Sequence, residues 1–229
     1  MTISYYNGGS SISGIPNRNY FLEESKLDAY STKHLLFMPC DVEDLIDYRH
    51  KTYSLRMTGF TDAGFKLCII VENIDVFFDV RCPKDEHIDK FAYNIMNTMD
   101  MNELIYRKID TIEAYPLFGF HERPIPYKRV YTTDLQTRRK AIELIRQKGY
   151  ETANDDLSCY YRKVARDYHL PISNWLVIKQ HRLKINGGLA TTYVDISNIT
   201  PYNGELTGNL KRERCLVMTW DIETYSSSN

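Results

Sequence analysis

The 229-residue sequence predicts an α+β fold containing a split βαβ, ferredoxin-like unit. Three observations lead there. The spacing of apolar residues switches between a period of two and one near 3.6 as the chain proceeds. The elements marked by those periods run strand, helix, strand, strand, helix, the order of the unit short of its last strand. Hydrophobic residues make up 43% of the chain and charged residues 26%, which favours a packed core over a disordered chain.

Residues 1–32 are polar, with "GGSSISG" near the start, and read as a flexible leader docked in part through Tyr20 and Phe21. "PCDVEDLIDYR" reads as a short helix, because Asp41 suits an N-cap and Val42, Leu45 and Ile46 recur at helical spacing. From Thr52 the period changes. "TYSLRMTGF" alternates, "TDAG" supplies turn residues, and "FKLCIIVENIDVFFDVR" is rich in branched and aromatic residues, giving a strand, a turn, and a long strand or a pair. Pro83 and Asp85 introduce an amphipathic helix whose buried stripe is Ile88, Phe91, Ile95 and Met99. "TIEAYPLFGF" and "PYKRVYTT" read as strands. Asp134 caps the next helix, Ala141, Ile142 and Ile145 form its buried stripe, and Gly149 stops it.

The remaining strand of the unit is expected from "NWLVIKQHRLK", after a further helix over "DDLSCYYRKVARDYHL" that Pro171 ends. "TTYVDISNI" is a later strand. "TPYNGELTGNLKRER" is rich in turn residues and is the best candidate boundary, dividing the chain into a leader at 1–32, a domain at 33–208 and the start of a second domain at 209–229.

Net charge is −1, but its distribution is uneven. Residues 1–126 hold 13 Lys and Arg against 19 Asp and Glu, whereas residues 127–214 hold 16 against 9. A basic second part can attract phosphate backbones through counterion release; solvated helix faces explain the same count. Five dispersed cysteines form no C-x-x-C pair, which suits a reducing compartment and points to no zinc knuckle. No H-E-x-x-H, G-x-x-x-x-G-K or G-x-G-x-x-G pattern is present. No run approaches the roughly 18 apolar residues that span a bilayer, so the expectation is a soluble, intracellular protein.

The stretch "LVMTWDIETYSSSN" carries the chemistry. In a strand, alternate side chains share a face, so Asp221 and Glu223 project together with Thr219, opposite Leu216, Met218, Trp220 and Ile222. Two carboxylates held so can share divalent metals, and magnesium prefers such oxygen ligands. Two metals about 3.5–4 Å apart can activate water and steady the leaving oxygen of a phosphodiester. Acidic-x-acidic spacing arises by chance about four times in such a chain, and Asp41-Val42-Glu43 has the same form. Only the second pair follows six strand-forming residues.

"LVMTWDIETYS" resembles the first exonuclease motif of family B DNA polymerases, with Trp220 in place of the more usual Phe. "LRMTGFTDAGFKLCIIVENIDVFFDVR" resembles the opening hairpin of that family, and "YETANDDLSCYYRKVARDYHLPISNWLVI" the segment before its exonuclease. The resemblance covers roughly residues 50–226. It implies a polymerase N-terminal domain followed by the first strand of a ribonuclease-H-like 3′–5′ exonuclease. Asp221 and Glu223 would be magnesium ligands and Thr224 would lie near the terminal nucleotide. The two later motifs of the family's proofreading site do not follow Glu223 in these residues, so the expectation is a fragment that is catalytically inactive alone. Its partners would be single-stranded template or a DNA 3′ end, with deoxynucleotides bound by the full-length family. Its location would be nuclear if the polymerase is a cellular replicative one.

The same resemblance makes Arg138, Arg139, Lys140, Arg162, Lys163, Arg166, Lys179, Arg182, Lys184, Lys211, Arg212 and Arg214 candidates for phosphate contact. Tyr160, Tyr161 and Trp175 are candidates for base stacking, with core packing the default for Trp175. Two rival classes remain: a non-catalytic module that binds single-stranded nucleic acid, and an interaction domain with no nucleic-acid role.

Overall fold

The computed structural model of the protein describes residues 34–62, 66–84, 87–186 and 189–204. Among the described residues ten strands form two sheets. In chain order they are β1 (Leu35–Asp47), β2 (Thr52–Thr61), β3 (Lys66–Glu72), β4 (Val76–Arg81), β5 (Tyr106–Ala114), β6 (Ile125–Thr132), β7 (Leu176–Ile178), β8 (Arg182–Asn186), β9 (Leu189–Asp195) and β10 (Ile199–Pro201). Three helices join them: α1 (Ile88–Met101), α2 (Leu135–Gln147) and α3 (Tyr160–Asp167).

The larger sheet has the order β10-β7-β1-β2-β3-β9-β8. Only β3 and β9 pair in parallel within it. Its inner face is apolar: Leu35, Phe37, Leu55, Met57, Leu67, Ile69 and Val71 pack with Tyr160 and Val164 of α3. The smaller sheet is antiparallel with the order β4-β6-β5. One face of it holds Phe78, Val80 and Val130 against Phe91, Ile95 and Met99 of α1 and Ala141, Ile142 and Ile145 of α2. The other face looks toward α3, which therefore touches both sheets.

Local chemistry explains the helix ends. The Asp134 carboxylate accepts from the Thr137 backbone N–H at 2.8 Å, the N-cap expected of it. Gly149 sits at φ +85°, and Tyr150 N–H closes back to the Ile145 carbonyl at 3.2 Å, so a residue without Cβ ends α2. The stripes expected on α1 and α2 are buried, except that Ile88 is only partly covered.

Four expectations are corrected. "PCDVEDLIDYR" is not a helix but the second half of β1, paired residue by residue with β2 from Asp41↔Thr58 to Asp47↔Thr52. Positions i and i+4 share a face in a helix and in a strand alike, so Val42 and Ile46 satisfied either period. A bulge between Pro39 and Asp41 changes the strand's parity and lets both halves of β1 aim apolar side chains at one core. The strand over "TIEAYPLFGF" begins earlier, at Tyr106, and ends at Ala114, leaving Leu117, Phe118 and Phe120 exposed on the loop beyond. In "DDLSCYYRKVARDYHL" the first residues form a 3-10 turn, Asn154–Leu157, and α3 ends at Asp167, before a His169 at φ 52°.

The fourth correction concerns the split βαβ unit. β4, α1, β5, β6 and α2 have its order and its 1-3-2 strand arrangement. "NWLVIKQHRLK" does not complete it, because β7 and β8 join the larger sheet. The edge beside β4 is met instead by a single antiparallel bridge, Val80↔Thr152, flanked by Arg81 N–H to the Glu151 carbonyl and Ala153 N–H to the Asp79 carbonyl, both at 2.8 Å. Leader residues 1–32 and the second-domain start at 209–229 lie outside the described residues.

Gly59 lies on β2 opposite Pro39, beside the bulge, and a Cβ there would stand 2.0 Å from the Met38 carbonyl oxygen. Backbone cannot yield as a flexible side chain does. Gly59→Ala is therefore expected to lower unfolding stability by more than about 2 kcal/mol. Urea denaturation followed by circular dichroism checks this, and an unchanged midpoint would contradict it.

Candidate functional site

The interior between the two sheets is built of charge. β4 reads Val-Phe-Phe-Asp-Val and is buried from Val76 to Val80, so the Asp79 carboxylate is held in an apolar strand with no water to ionise against. α3 supplies the answer. The Lys163 ammonium, fully buried, lies 2.9 Å from Asp79 Oδ2, 2.8 Å from Asp156 Oδ1 and 3.3 Å from Asp155 Oδ1. Arg129 of β6 donates to both Asp79 oxygens, at 2.8 and 3.1 Å, and reaches Asp167 at 2.7 Å. Arg138 of α2 donates to Asp156 at 2.6 Å and to the Phe77 carbonyl at 2.7 Å. Arg166 closes the set on Asp155 at 2.7 Å. Four cations meet four carboxylates, so the cluster is neutral as a whole.

Burial opposes the Asp79 charge, but Lys163 and the Arg129 fork outweigh it and hold the carboxyl below the usual range. Burial wins at Asp156, whose carboxyl is pushed up despite Lys163 and Arg138. Lys163 is itself held above the ordinary lysine value: burial opposes its charge, and Asp156, Asp79 and Asp155 restore it. Rings pack round the cluster, with the Arg129 guanidinium 3.9 Å from the Phe77 ring centroid and that of Arg138 4.7 Å from the Tyr160 centroid.

This arrangement redistributes the residues expected to touch nucleic acid. Arg138 and Lys163 are buried in ion pairs and have no face to offer a phosphate, which corrects the expectation for both. Arg166 is exposed and bound to Asp155. Tyr160 is buried: its hydroxyl accepts from Phe77 N–H at 2.9 Å and donates to the Asp75 carbonyl at 2.7 Å, and its ring meets Tyr53 edge-on at 4.9 Å. Trp175 is also buried. Neither ring can receive a base, whereas Tyr161 is partly exposed beside Arg162.

Arg139 and Lys140 lie on the solvent face of α2, Arg162 on α3, and Lys179 and Arg182 around the bend between β7 and β8. Arg182 pairs with Glu72. Lys184 lies on β8. Lys211, Arg212, Arg214, Asp221, Glu223 and Thr224 lie outside the described residues, so the magnesium expectation meets no geometry. Among the described residues no group of three or more His, Cys, Asp or Glu could hold a metal, no helix is long and apolar enough to cross a membrane, and Cys40, Cys68, Cys82 and Cys159 form no disulfide.

Sequence reasoning missed Asp79, Arg129, Asp155 and Asp156. The available signal was a lone carboxylate inside "VFFDV". An acid in an otherwise apolar strand demands a buried cation.

No protein-family profile matches the chain. The curated relatives it matches include proteins named DNA polymerase beta from African swine fever virus. The chain is 33% identical over 196 residues to that of isolate Tick/Malawi/Lil 20-1/1983, and 32% identical over 195 residues to that of isolate Pig/Kenya/KEN-50/1950. Each match covers 84% of this chain, which spans only 15% and 16% of those proteins' lengths. Among solved structures it is similar in fold to the family B DNA polymerase of the archaeon Pyrobaculum calidifontis. There the TM-score is 0.50 and the identity 16%, over 69% of this chain and 19% of that one.

Lys163→Met is expected to cost about 3–5 kcal/mol at pH 7, because it strands buried carboxylates. The sign with pH follows from linkage. A carboxylate that loses its cation has a folded pKa raised above its unfolded value, so its protonated form stabilises the folded state at low pH and that stability is lost as pH rises. The deficit against the parental protein should therefore shrink between pH 7 and pH 4. A deficit that grows toward pH 4, in chemical denaturation at both pH values, would overturn this account.

Proposed function

We propose that this chain is the N-terminal region of a family B DNA-directed DNA polymerase, running into the first strand of its 3′–5′ proofreading exonuclease. The observation that carries the reading is the 33% identity over 196 residues to a viral DNA polymerase. The fold likeness to a family B polymerase supports it, as does "TWDIET" at the expected place. In this reading the three-stranded sheet with α1 and α2 is a ferredoxin-like unit worn down at its fourth strand.

The described residues then serve as a scaffold that receives DNA. Exposed cations hold single-stranded DNA by its phosphates, with Arg139, Lys140, Arg162, Lys179 and Arg182 as candidates; Lys184, Lys211, Arg212 and Arg214 remain candidates from the sequence alone. Asp221 and Glu223 are oxygen donors of the kind magnesium takes, and Thr224 would lie beside the terminal nucleotide. Magnesium would supply the hydroxide and charge stabilisation for phosphodiester cleavage. Deoxynucleotides belong to parts of such a polymerase that these 229 residues do not contain.

The purified 229-residue chain should bind a fluorescein-labelled single-stranded oligonucleotide, with affinity falling steeply as salt rises from about 50 to 200 mM. It should neither extend a primer nor shorten a 3′ end in magnesium. No binding at the lower salt would sink the reading. Magnesium-dependent 3′ shortening abolished by Asp221→Ala would sink the claim that the chain alone is inactive.

A further inference from the structure

Two open cavities adjoin beside the three-stranded sheet, lined by none of the eight residues of the ion cluster. The larger, about 550 Å³, lies under the β5–β6 loop, with Phe118 and His121 on one side and Tyr127, Arg146 and Tyr150 on the other. The smaller, about 380 Å³, is lined by Cys82, Lys84 and Gly149 among others. Both are bordered by Arg81, Tyr150 and Glu151, so they form one continuous groove.

The groove's chemistry is lopsided among the described residues. There Arg81, Lys84 and Arg146 line it with one carboxylate, Glu151, which pairs with Arg81 at 2.8 Å. The Arg146 guanidinium is steered by a neutral group, the Thr152 hydroxyl, with Nε at 2.8 Å, so its orientation is fixed while it meets no carboxylate among the described residues. The floor is aromatic and rigid. Tyr127 is buried, and the Tyr150 ring is locked edge-on against Phe91 at 5.1 Å with its hydroxyl accepting from Asn94 at 3.3 Å. Phe118, 66% exposed, stands over the larger cavity on a loop braced by the His121 ring nitrogen 2.8 Å from the Phe118 carbonyl oxygen.

We propose that this groove binds single-stranded DNA, with one unstacked nucleotide in the larger cavity and the adjoining backbone running past Arg81 toward Lys84. The proposal rests on the polymerase reading and adds a surface to the exposed cations already given as candidates. An exposed ring beside a guanidinium oriented by a neutral hydroxyl suits a base and its phosphate, since stacking accepts any base and arginine matches phosphate oxygens. Continuity from Arg146 past Arg81 to Lys84 favours a strand with successive phosphates over a lone nucleotide. None of these residues belongs to the basic set that the sequence singles out.

The test measures fluorescence anisotropy of a labelled 20-residue oligothymidylate with the full 229-residue chain. Arg146→Glu should weaken binding by about tenfold or more and lower the salt slope by roughly 0.7 for the lost phosphate contact. Lys84→Glu combined with Phe118→Ala, both at exposed side chains that cannot unfold the protein, should weaken it by at least about fivefold. Arg49→Glu, the same charge change on the exposed β1–β2 turn, should alter it less than about twofold. Parental binding with both groove variants within twofold of it would overturn the groove while leaving the polymerase reading intact. Absence of parental binding at low salt would overturn both.

Discussion

The fold depends on one ammonium group. Lys163 sits between two sheets, fully buried, and its three carboxylate neighbours come from a strand and a 3-10 turn lying some 75 residues apart in the chain. Remove the cation and Asp79 is an acid inside an apolar strand. Remove Asp79 and the lysine keeps only Asp155 and Asp156, both on the turn before its own helix, and loses its tie to β4. Burial of this kind adds little net stability compared with a hydrophobic substitute, but it tolerates one arrangement of partners. The cluster thus acts as a registration device: α3 can dock between the sheets only where its lysine finds β4, and β6 only where Arg129 forks onto the same carboxylate.

Much of the fold was legible because periodicity and local chemistry agreed. α1 and α2 carry strong stripes, and α2 has both a cap and a stop glycine that can each be argued from one residue. What misled were places where one pattern fits two structures. Val42 and Ile46 share a face at either period, and only pairing with β2 decides between them. "NWLVI" is a strand in any reading, but which sheet it enters depends on β1, whose Leu35 lies 143 positions before its partner Ile178, and on β10, whose Ile199 lies 21 after it. Sequence periodicity names an element; it does not name the neighbour.

The candidate site was less legible for a related reason. Charge was counted along the chain, and space sorts it differently. Most of the cancellation lies within the basic part itself, where Asp155, Asp156 and Asp167 take up its cations, and the first part adds Asp79 against Arg129 and Lys163. Three of the cations that made residues 127–214 look basic, Arg129, Arg138 and Lys163, therefore point inward. Tyr160 and Trp175 went the same way, Tyr160 with its hydroxyl satisfied by backbone groups of β4 and the residue before it. The groove at Arg81, Arg146 and Tyr150 could not be read from spacing, because its walls come from segments that no motif connects.

The one parallel pairing in the large sheet governs how the molecule can be made. Thr191 of β9 lies beside Cys68 of β3, 123 positions later in the chain. During synthesis β3 emerges early with Leu67, Ile69 and Val71 on one face and an open edge on the side β9 will fill. That edge stays open until more than a hundred further residues have left the ribosome. At ordinary elongation rates of about 5–20 residues per second, this is a wait of roughly five to twenty-five seconds. A nascent chain of this design has a timed window of stickiness, and its yield in a cell depends on how well chaperones cover one strand edge during it.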